Sequence, residues 1–372
     1  MGGSFRVRAG LLLILGLLTA LPPLATQASA PDAATPDPMG AVSDLLSGAS
    51  GALTTLGDTI DSTAQTVVDT VSPAAGPCSG FGSLDYGNDG RLTILLLGSD
   101  YRTERYIGER MDTIIVATRK SNGRIAMASI PRDMVYFPKA GGGTSGTNRV
   151  NTMYYTYKRN KGNLDGVDCG ALKKFTKDVA AALKTEIDYY AMVRMKTFIK
   201  LVDRVGYVAV DVPGPIVDTY YGRRGVYFPD KNDYRLVGNA ACRKRPFECR
   251  SALAYVRSRH GTQAGGSNSD FKRAYRQHDF IFDAAQRVRS RGNGAALDDL
   301  MDAIAPKVWT NVPKNLNVAR DIYNLIGGSS MTGSDKVVLG PSVYATSKGA
   351  PLYTFRPRLT PIRNWIDSHF GS

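Results

Sequence analysis

Apolar residues cluster unevenly along this 372-residue chain, and the densest clustering lies between Leu92 and Ile130. Three runs rich in Leu, Ile, Val and Ala, Leu92–Leu97, Thr113–Thr118 and Ile125–Ile130, predict strands buried on both faces. Asn122-Gly123 joins the second and third, a strong signal for a tight hairpin. Further on, Leu172, Phe175, Val179, Ala182 and Leu183 follow a helical period and predict a helix over 168–185. Residues 187–193 and 207–212 read as strands, with an amphipathic helix at 196–205 between them. Residues 251–257 form a short apolar element. The stretch 270–288 is a helix capped by Ser269 or Asp270, and two more helices are expected at 295–306 and 315–326. Residues 213–250 are expected to be a long polar connection, and the C-terminal end irregular. Strands alternating with helices around a hairpin predict an α/β protein with a mixed β-sheet covered by helices on both faces.

The N-terminal part has a different character. Arg6 and Arg8 precede an apolar run from Ala9 to Ala20, and Ala28-Ser29-Ala30 offers a cleavage site. Residues 1–30 are therefore expected to be a signal peptide or an N-terminal membrane anchor. Residues 31–77, rich in Ala, Ser, Thr and Asp, read as a linker, and the folded domain is expected over 78–372. The linker carries six Asp and no Lys or Arg, and residues 1–30 carry two Arg, so an overall charge of +14 leaves +18 on residues 78–372. That field favours a polyanion, and export disfavours nucleic acid, leaving an anionic membrane surface or a phosphate-rich substrate. Four cysteines suit an exported chain: Cys242 and Cys249 close a small ring, and Cys78 pairs with Cys169 by elimination. Three scattered histidines do not complete a zinc site.

The charged residues of the first three strands sit at their ends. Asp100 and Arg102 follow the first, Arg110 and Asp112 open the second, and Arg132-Asp133 closes the third. An antiparallel arrangement brings all of them to one rim. Arg257 and Arg259 share a face if that segment is extended, and Arg273, Arg276 and Gln277 lie on one side of a helix. Guanidinium forks bind phosphate bidentately, and two Asp carboxylates can hold a Mg²⁺ that bridges to phosphate oxygens. The pattern reads as a diphosphate clamp with metal, suited to phosphoryl transfer. No G-x-x-x-x-G-K-S/T is present and no G-x-S-x-G surrounds Ser99, which argues against a P-loop nucleotide site and a serine hydrolase.

L-L-L-G-S-D-Y-R, R-M-D-T, S-I-P-R-D, Asn151 with its following tyrosines, and A-L-A-Y-V-R-S-R…S-D-F-K-R-A-Y-R-Q together resemble the LytR-CpsA-Psr family over about residues 91–290. The resemblance implies an α/β/α sandwich and an extracytoplasmic phosphotransferase, secreted or anchored at the outer face of the membrane. Such an enzyme moves a glycopolymer from a polyprenyl-diphosphate carrier to a peptidoglycan hydroxyl, typically on N-acetylmuramic acid. It assigns Mg²⁺, with Mn²⁺ as an alternative, to Asp100 and Asp112. The diphosphate, or the support of its contacts, falls to Arg102, Arg110, Arg132, Arg257, Arg259, Arg273 and Arg276, with Gln277 behind them. Asp133 would either help deprotonate the acceptor or orient a neighbouring arginine. Two other readings stand beside this one: a polyprenyl-diphosphate-glycan pyrophosphatase, and a non-catalytic binding or regulatory protein for lipid-linked glycans.

Overall fold

The structure, a computed structural model, describes residues 78, 90–101, 108–160, 166–238, 240, 242, 248–263, 266–290, 308–312, 329–348 and 353–371. The expected leader, the linker, Arg102 and the helices at 295–306 and 315–326 lie outside these residues.

The three apolar runs are strands: β1 (Leu92–Ser99), β2 (Met111–Arg119) and β3 (Ile125–Ser129). They form an antiparallel set with Gly123 at positive φ in the connecting turn, the conformation for which glycine carries no steric cost. The tyrosines after Asn151 lie on a helix the sequence reading did not assign, α1 (Met153–Asn160). Next comes α2 (Cys169–Leu183), capped by the Asp168 carboxylate accepting from the Ala171 N–H. Cys169 at its start is bonded to Cys78. Strand β4 (Tyr189–Arg194) lies parallel to β1 and runs directly into α3 (Met195–Val205).

Residues 213–250, expected to be a long polar connection, contain strands as well as a disulfide. After β5 (Val208–Val212) come β6 (Ile216–Asp218), β7 (Val226–Phe228) and β8 (Lys231–Leu236). Strands β6 and β7, of three residues each, are too short to show a period, and β8 buries only Tyr234 and Leu236 of its six residues. The Cys242–Cys249 ring forms as expected, and the Cys249 N–H donates to Tyr227 on β7.

The apolar element before Arg257 is a single helical stretch, α4 (Ala252–Arg257), with Ser251 as its cap. Arg257 therefore ends a helix, and Arg259 lies beyond it. Short strands β9 (Thr262–Gln263) and β10 (Gly266–Ser267) precede α5 (Asp270–Ser290), whose first turn is capped by the Ser269 hydroxyl accepting from Lys272. The C-terminal part is also regular: β11 (Trp309–Thr310), β12 (Lys336–Val338), the hairpin β13 (Ala345–Lys348) and β14 (Thr354–Pro357), and α6 (Leu359–Phe370). Its helical signal was present in Ile362, Ile366 and Phe370, all buried at i, i+4 and i+8, and Pro361 is tolerated in the first turn.

The central sheet has the order β11-β4-β1-β2-β3-β12 and is mixed, as expected for the α/β class. One core on it joins Leu95, Leu97, Val116 and Ala128 to Phe175 and Val179 of α2 and to Ile366 and Phe370 of α6. A separate core packs Val208, Val210 and Leu236 against Tyr255, Phe280 and Ala284. No helix among the described residues is long and apolar enough to cross a membrane.

Candidate active site

The register of β1 against β2 puts Gly98 opposite Thr113 but Ser99 opposite Met111. Asp112 is therefore the extra residue of a β-bulge, the device by which a strand re-aims a side chain. Gly98 makes the bulge possible, because a Cβ there would come within 2.9 Å of the Thr113 Cβ. Beside it the Asp100 N–H donates to the Arg110 carbonyl (3.0 Å), and the Arg110 N–H returns a bond to Asp100 Oδ1 (2.7 Å). The Arg110 side chain is exposed at this edge. Antiparallel pairing thus delivers both Asp carboxylates to one rim.

Asp112 is held on both oxygens. Arg132 Nη1 donates to Oδ2 at 2.8 Å and Asn151 Nδ2 to Oδ1 at 3.2 Å, while Arg273 Nη2 reaches the Asp112 carbonyl at 3.2 Å. Asp133 faces Arg132 at 3.5 Å and Arg149 at 3.1 Å. Asp270, which sequence reading took only as a cap, gathers Arg132 (3.3 Å), Arg259 (3.3 Å) and Arg273 (3.0 Å). Burial works to lower the Arg132 guanidinium, but Asp112, Asp270 and Asp133 together outweigh it and hold it above its ordinary value. Arg273 goes the other way, lowered first by burial and further by Arg132, although Asp270 opposes this. The Arg132 Nε is the atom that faces Asp133 and Asp270, whereas the Arg273 Nε is buried and makes no hydrogen bond among the described residues.

The remaining predicted residues separate by role. Arg257 borders the rim beside the Tyr221 ring. Arg276 is spent on protein groups: it donates to the carbonyls of Tyr255 and Ser258 and to the side chains of Gln263 and Asn268. Burial pushes it down to about 10, so it stays charged at neutral pH. Gln277 donates to the Val256 carbonyl at 2.9 Å. Both residues fix the chain carrying Arg257 and Arg259, a supporting role rather than that of an open phosphate fork.

Three further residues escaped the sequence reading. Asp218, fully buried, accepts from the Ser258 hydroxyl (2.9 Å) and from the N–H groups of Arg259 (3.1 Å), His260 (3.2 Å) and Tyr220 (3.0 Å). Glu109, also buried, accepts from Ser99 Oγ (2.7 Å) and from both sides of the Arg194 guanidinium (2.9 and 3.0 Å). Arg194 also lies over the Tyr101 ring at 3.6 Å. A lone Asp before a Tyr pair and a Glu two residues before Met111 carry no local signal; their partners are 40 and 85 residues away.

Two cavities meet at this rim. The larger, about 180 Å³, runs between β1, β4, α3 and α5. Leu96, Phe198, Leu201, Val205, Phe280 and Ile281 line its interior, and Asp100, Asp112 and Arg257 stand where it meets the rim. The smaller, about 30 Å³, lies on the other side of Asp112, between Arg132, Asp133, Asp270, Arg273, Phe271 and Phe355. No group of three or more His, Cys, Asp or Glu side chains suited to a metal occurs among the described residues. Asp100 and Asp112 supply hard oxygen donors of the kind Mg²⁺ takes when water and substrate phosphate complete its shell.

Known proteins are similar to this chain in sequence and fold. A Bacillus subtilis protein named polyisoprenyl-teichoic acid–peptidoglycan teichoic acid transferase TagV is 29% identical over 291 residues, 75% of this chain and 64% of its own length. An uncharacterised Staphylococcus aureus protein is 26% identical over 308 residues, 76% of this chain and 67% of its own length. The crystal structure of B. subtilis TagV superposes with a TM-score of 0.53 at 25% identity, covering 76% of this chain and 97% of that one. TagT, solved bound to LIIa-WTA, shares the fold with a TM-score of 0.51 at 19% identity, over 81% of this chain and 98% of its own. The LytR_cpsA_psr family model matches residues 57–349, and the chain belongs to the LytR-CpsA-Psr family.

Proposed function

We propose that the chain is a phosphotransferase that moves a glycopolymer from a polyprenyl-diphosphate carrier to a hydroxyl of peptidoglycan, with N-acetylmuramic acid as the acceptor sugar. The observation that carries the reading is the junction of an apolar cavity with a rim of arginines and carboxylates. A lipid diphosphate has that shape: a hydrocarbon chain ending in a doubly charged head. The Leu, Val and Phe side chains of the larger cavity accept the isoprenoid, each buried CH₂ contributing about 0.8 kcal/mol. The buried Nε of Arg273, which makes no hydrogen bond among the described residues, favours an anion beside it, since a buried N–H left without an acceptor is costly. The named activity of TagV and the ligand in the TagT structure are of the same kind.

In this reading Asp100 and Asp112 hold Mg²⁺, which supplies neutralisation of the phosphate oxygens. Arg132, Arg259 and Arg273 orient the diphosphate, and Asp270 and Asp133 keep those guanidinium groups in place. The acceptor hydroxyl oxygen bonds to the glycan-bearing phosphorus, and the bond from that phosphorus to the bridging oxygen breaks. Polyprenyl monophosphate leaves, and the hydroxyl proton passes to a carboxylate of the rim. The test is a release assay with a short glycan on polyprenyl diphosphate, Mg²⁺ and peptidoglycan fragments, with Asp112→Ala as control. Carrier monophosphate appearing with joined glycan, and a loss of at least about 100-fold in the variant, is the expected result. Release at the same rate with no joining would make the protein a pyrophosphatase. Tight donor binding without turnover would make it a binding protein.

A further inference from the structure

The smaller cavity is closed by a residue from outside the family match. That match ends at residue 349, whereas Phe355 lies on β14, which begins at Thr354. Residue 355 is bonded to the chain just after β3: the Phe355 N–H donates to the Asp133 carbonyl (3.2 Å), and the Val135 N–H donates to the Phe355 carbonyl (2.8 Å). Its ring meets the Phe271 ring edge-on at 5.6 Å, next to Asp270. Phe271 is itself confined, because any Cβ at Gly340 would come within 2.5 Å of its ring. The segment is anchored firmly. Ile362, Ile366 and Phe370 of α6 are buried in the sheet core, Arg363 donates to the carbonyls of Ala181 and Ala182, and Arg91 Nη1 donates to the Phe370 carbonyl (2.6 Å). Phe355 is a fixed wall.

The two cavities share Asp112, Thr113 and Gln277 and lie on opposite sides of them. In a phosphoryl transfer the attacking and leaving oxygens lie roughly in line across phosphorus. With the carrier's chain in the larger cavity, its leaving oxygen is on that side, and the acceptor must approach from the other. About 30 Å³ bounded by Arg132, Asp133 and two phenyl rings is room for a hydroxymethyl group or a water or two, and too little for a sugar ring. We propose that this cavity is the acceptor subsite and that Phe355, set against Phe271, determines its specificity by admitting a primary hydroxymethyl group and excluding bulk water. The inference rests on the transferase reading given above.

The experiment measures acceptor KM, donor KM and the share of turnovers ending in water for wild type, Phe355→Ala and Phe355→Leu, using a soluble muramyl disaccharide and a short-chain polyprenyl-diphosphate glycan. The expected result is an acceptor KM raised about tenfold by alanine and less by leucine. The donor KM should move less than the acceptor KM, and the water share should rise in the same order. Acceptor and donor KM rising together, or a water share unmoved in both variants, would overturn the assignment. Melting curves accompany the kinetics, and if the alanine chain does not fold, the leucine chain carries the same comparison. A wild type that releases carrier without joining glycan overturns the transferase reading itself. A wild type that joins it, with variants that behave identically, overturns this inference alone.

Discussion

Replacing Asp218 with Ala removes the buried carboxylate on which Ser258, Arg259 and His260 converge at one oxygen and the Tyr220 N–H at the other. All four donors then lose their acceptor. Hydrogen bonds to a charged group contribute about 1.5–3 kcal/mol each, but three sharing one oxygen do not add. A net loss of about 3 kcal/mol is the reasoned magnitude, and for a domain of this size it lowers Tm by roughly 5 °C. The functional effect follows from what the carboxylate holds. Arg259 has its backbone on Asp218 and its guanidinium on Asp270, so slackening the first frees the second. Donor KM should rise about tenfold, with a smaller change in kcat, because the phosphate clamp loosens while Asp100 and Asp112 stay on their strands. Calorimetric melting and initial rates at varied donor concentration measure the two effects. An unchanged Tm together with an unmoved donor KM would refute the reasoning, since it would mean that these four bonds neither support the loop nor place the arginine.

Two other perturbations probe the scaffold. Asp283 is pushed up to about 7, first by burial and then by Asp279 and Asp211, with Lys336 opposing. The folded chain thus keeps a proton that the unfolded chain releases from about pH 4 upward, so stability falls as pH rises through pH 4–7. Asp283→Asn should flatten that window and add at most about 4 kcal/mol above it, seen as a higher urea midpoint at alkaline pH only; a gain equal on both sides would refute the assignment. Removing the Cys78–Cys169 bridge by a double serine substitution releases a separation of 91 residues in the unfolded chain, worth about 4–5 kcal/mol on a chain-entropy account. Denaturant unfolding with and without the bridge measures it, and a difference below about 1 kcal/mol would mean the unfolded chain is already compact there.

How much the sequence revealed depended on the range of each interaction. The hairpin of β2 and β3 was legible because an Asn-Gly turn and two apolar runs lie within 18 residues of one another. The convergence of Asp100, Arg110, Asp112 and Arg132 followed from that hairpin. Both disulfides followed from the seven-residue spacing of Cys242 and Cys249, which leaves Cys78 to pair with Cys169. Asp270 and Asp218 were not legible as clamp residues. Each looks like a cap or a turn residue until distant arginines or amides close on it. The dual nature of the arginines was also hidden. Arg273 and Arg276 share a helix face, yet one turns to Asp112 and Asp270 while the other is consumed by the chain around Ser258. The period of a helix fixes which side a residue is on, not which of two neighbours finds its acceptors first.

The position of the site traces to one inserted residue. In a regular ladder Asp112 would pair across to β1 and its side chain would take its turn on one face of the sheet. As the bulged residue it borders both cavities, turns its carboxylate to Arg132 and Asn151, and leaves its carbonyl for Arg273. These contacts tie β2 to the turn after β3, to the turn just before α1 and to the first turn of α5, elements that share no local sequence. The arginines are brought in by the fold as a whole, but the point on which they converge is set by Gly98, whose missing side chain lets β1 close against Thr113. Because the bulge fixes both the carboxylate and the carbonyl, moving the pairing by one residue would dismantle the anion site and the boundary between the two cavities together.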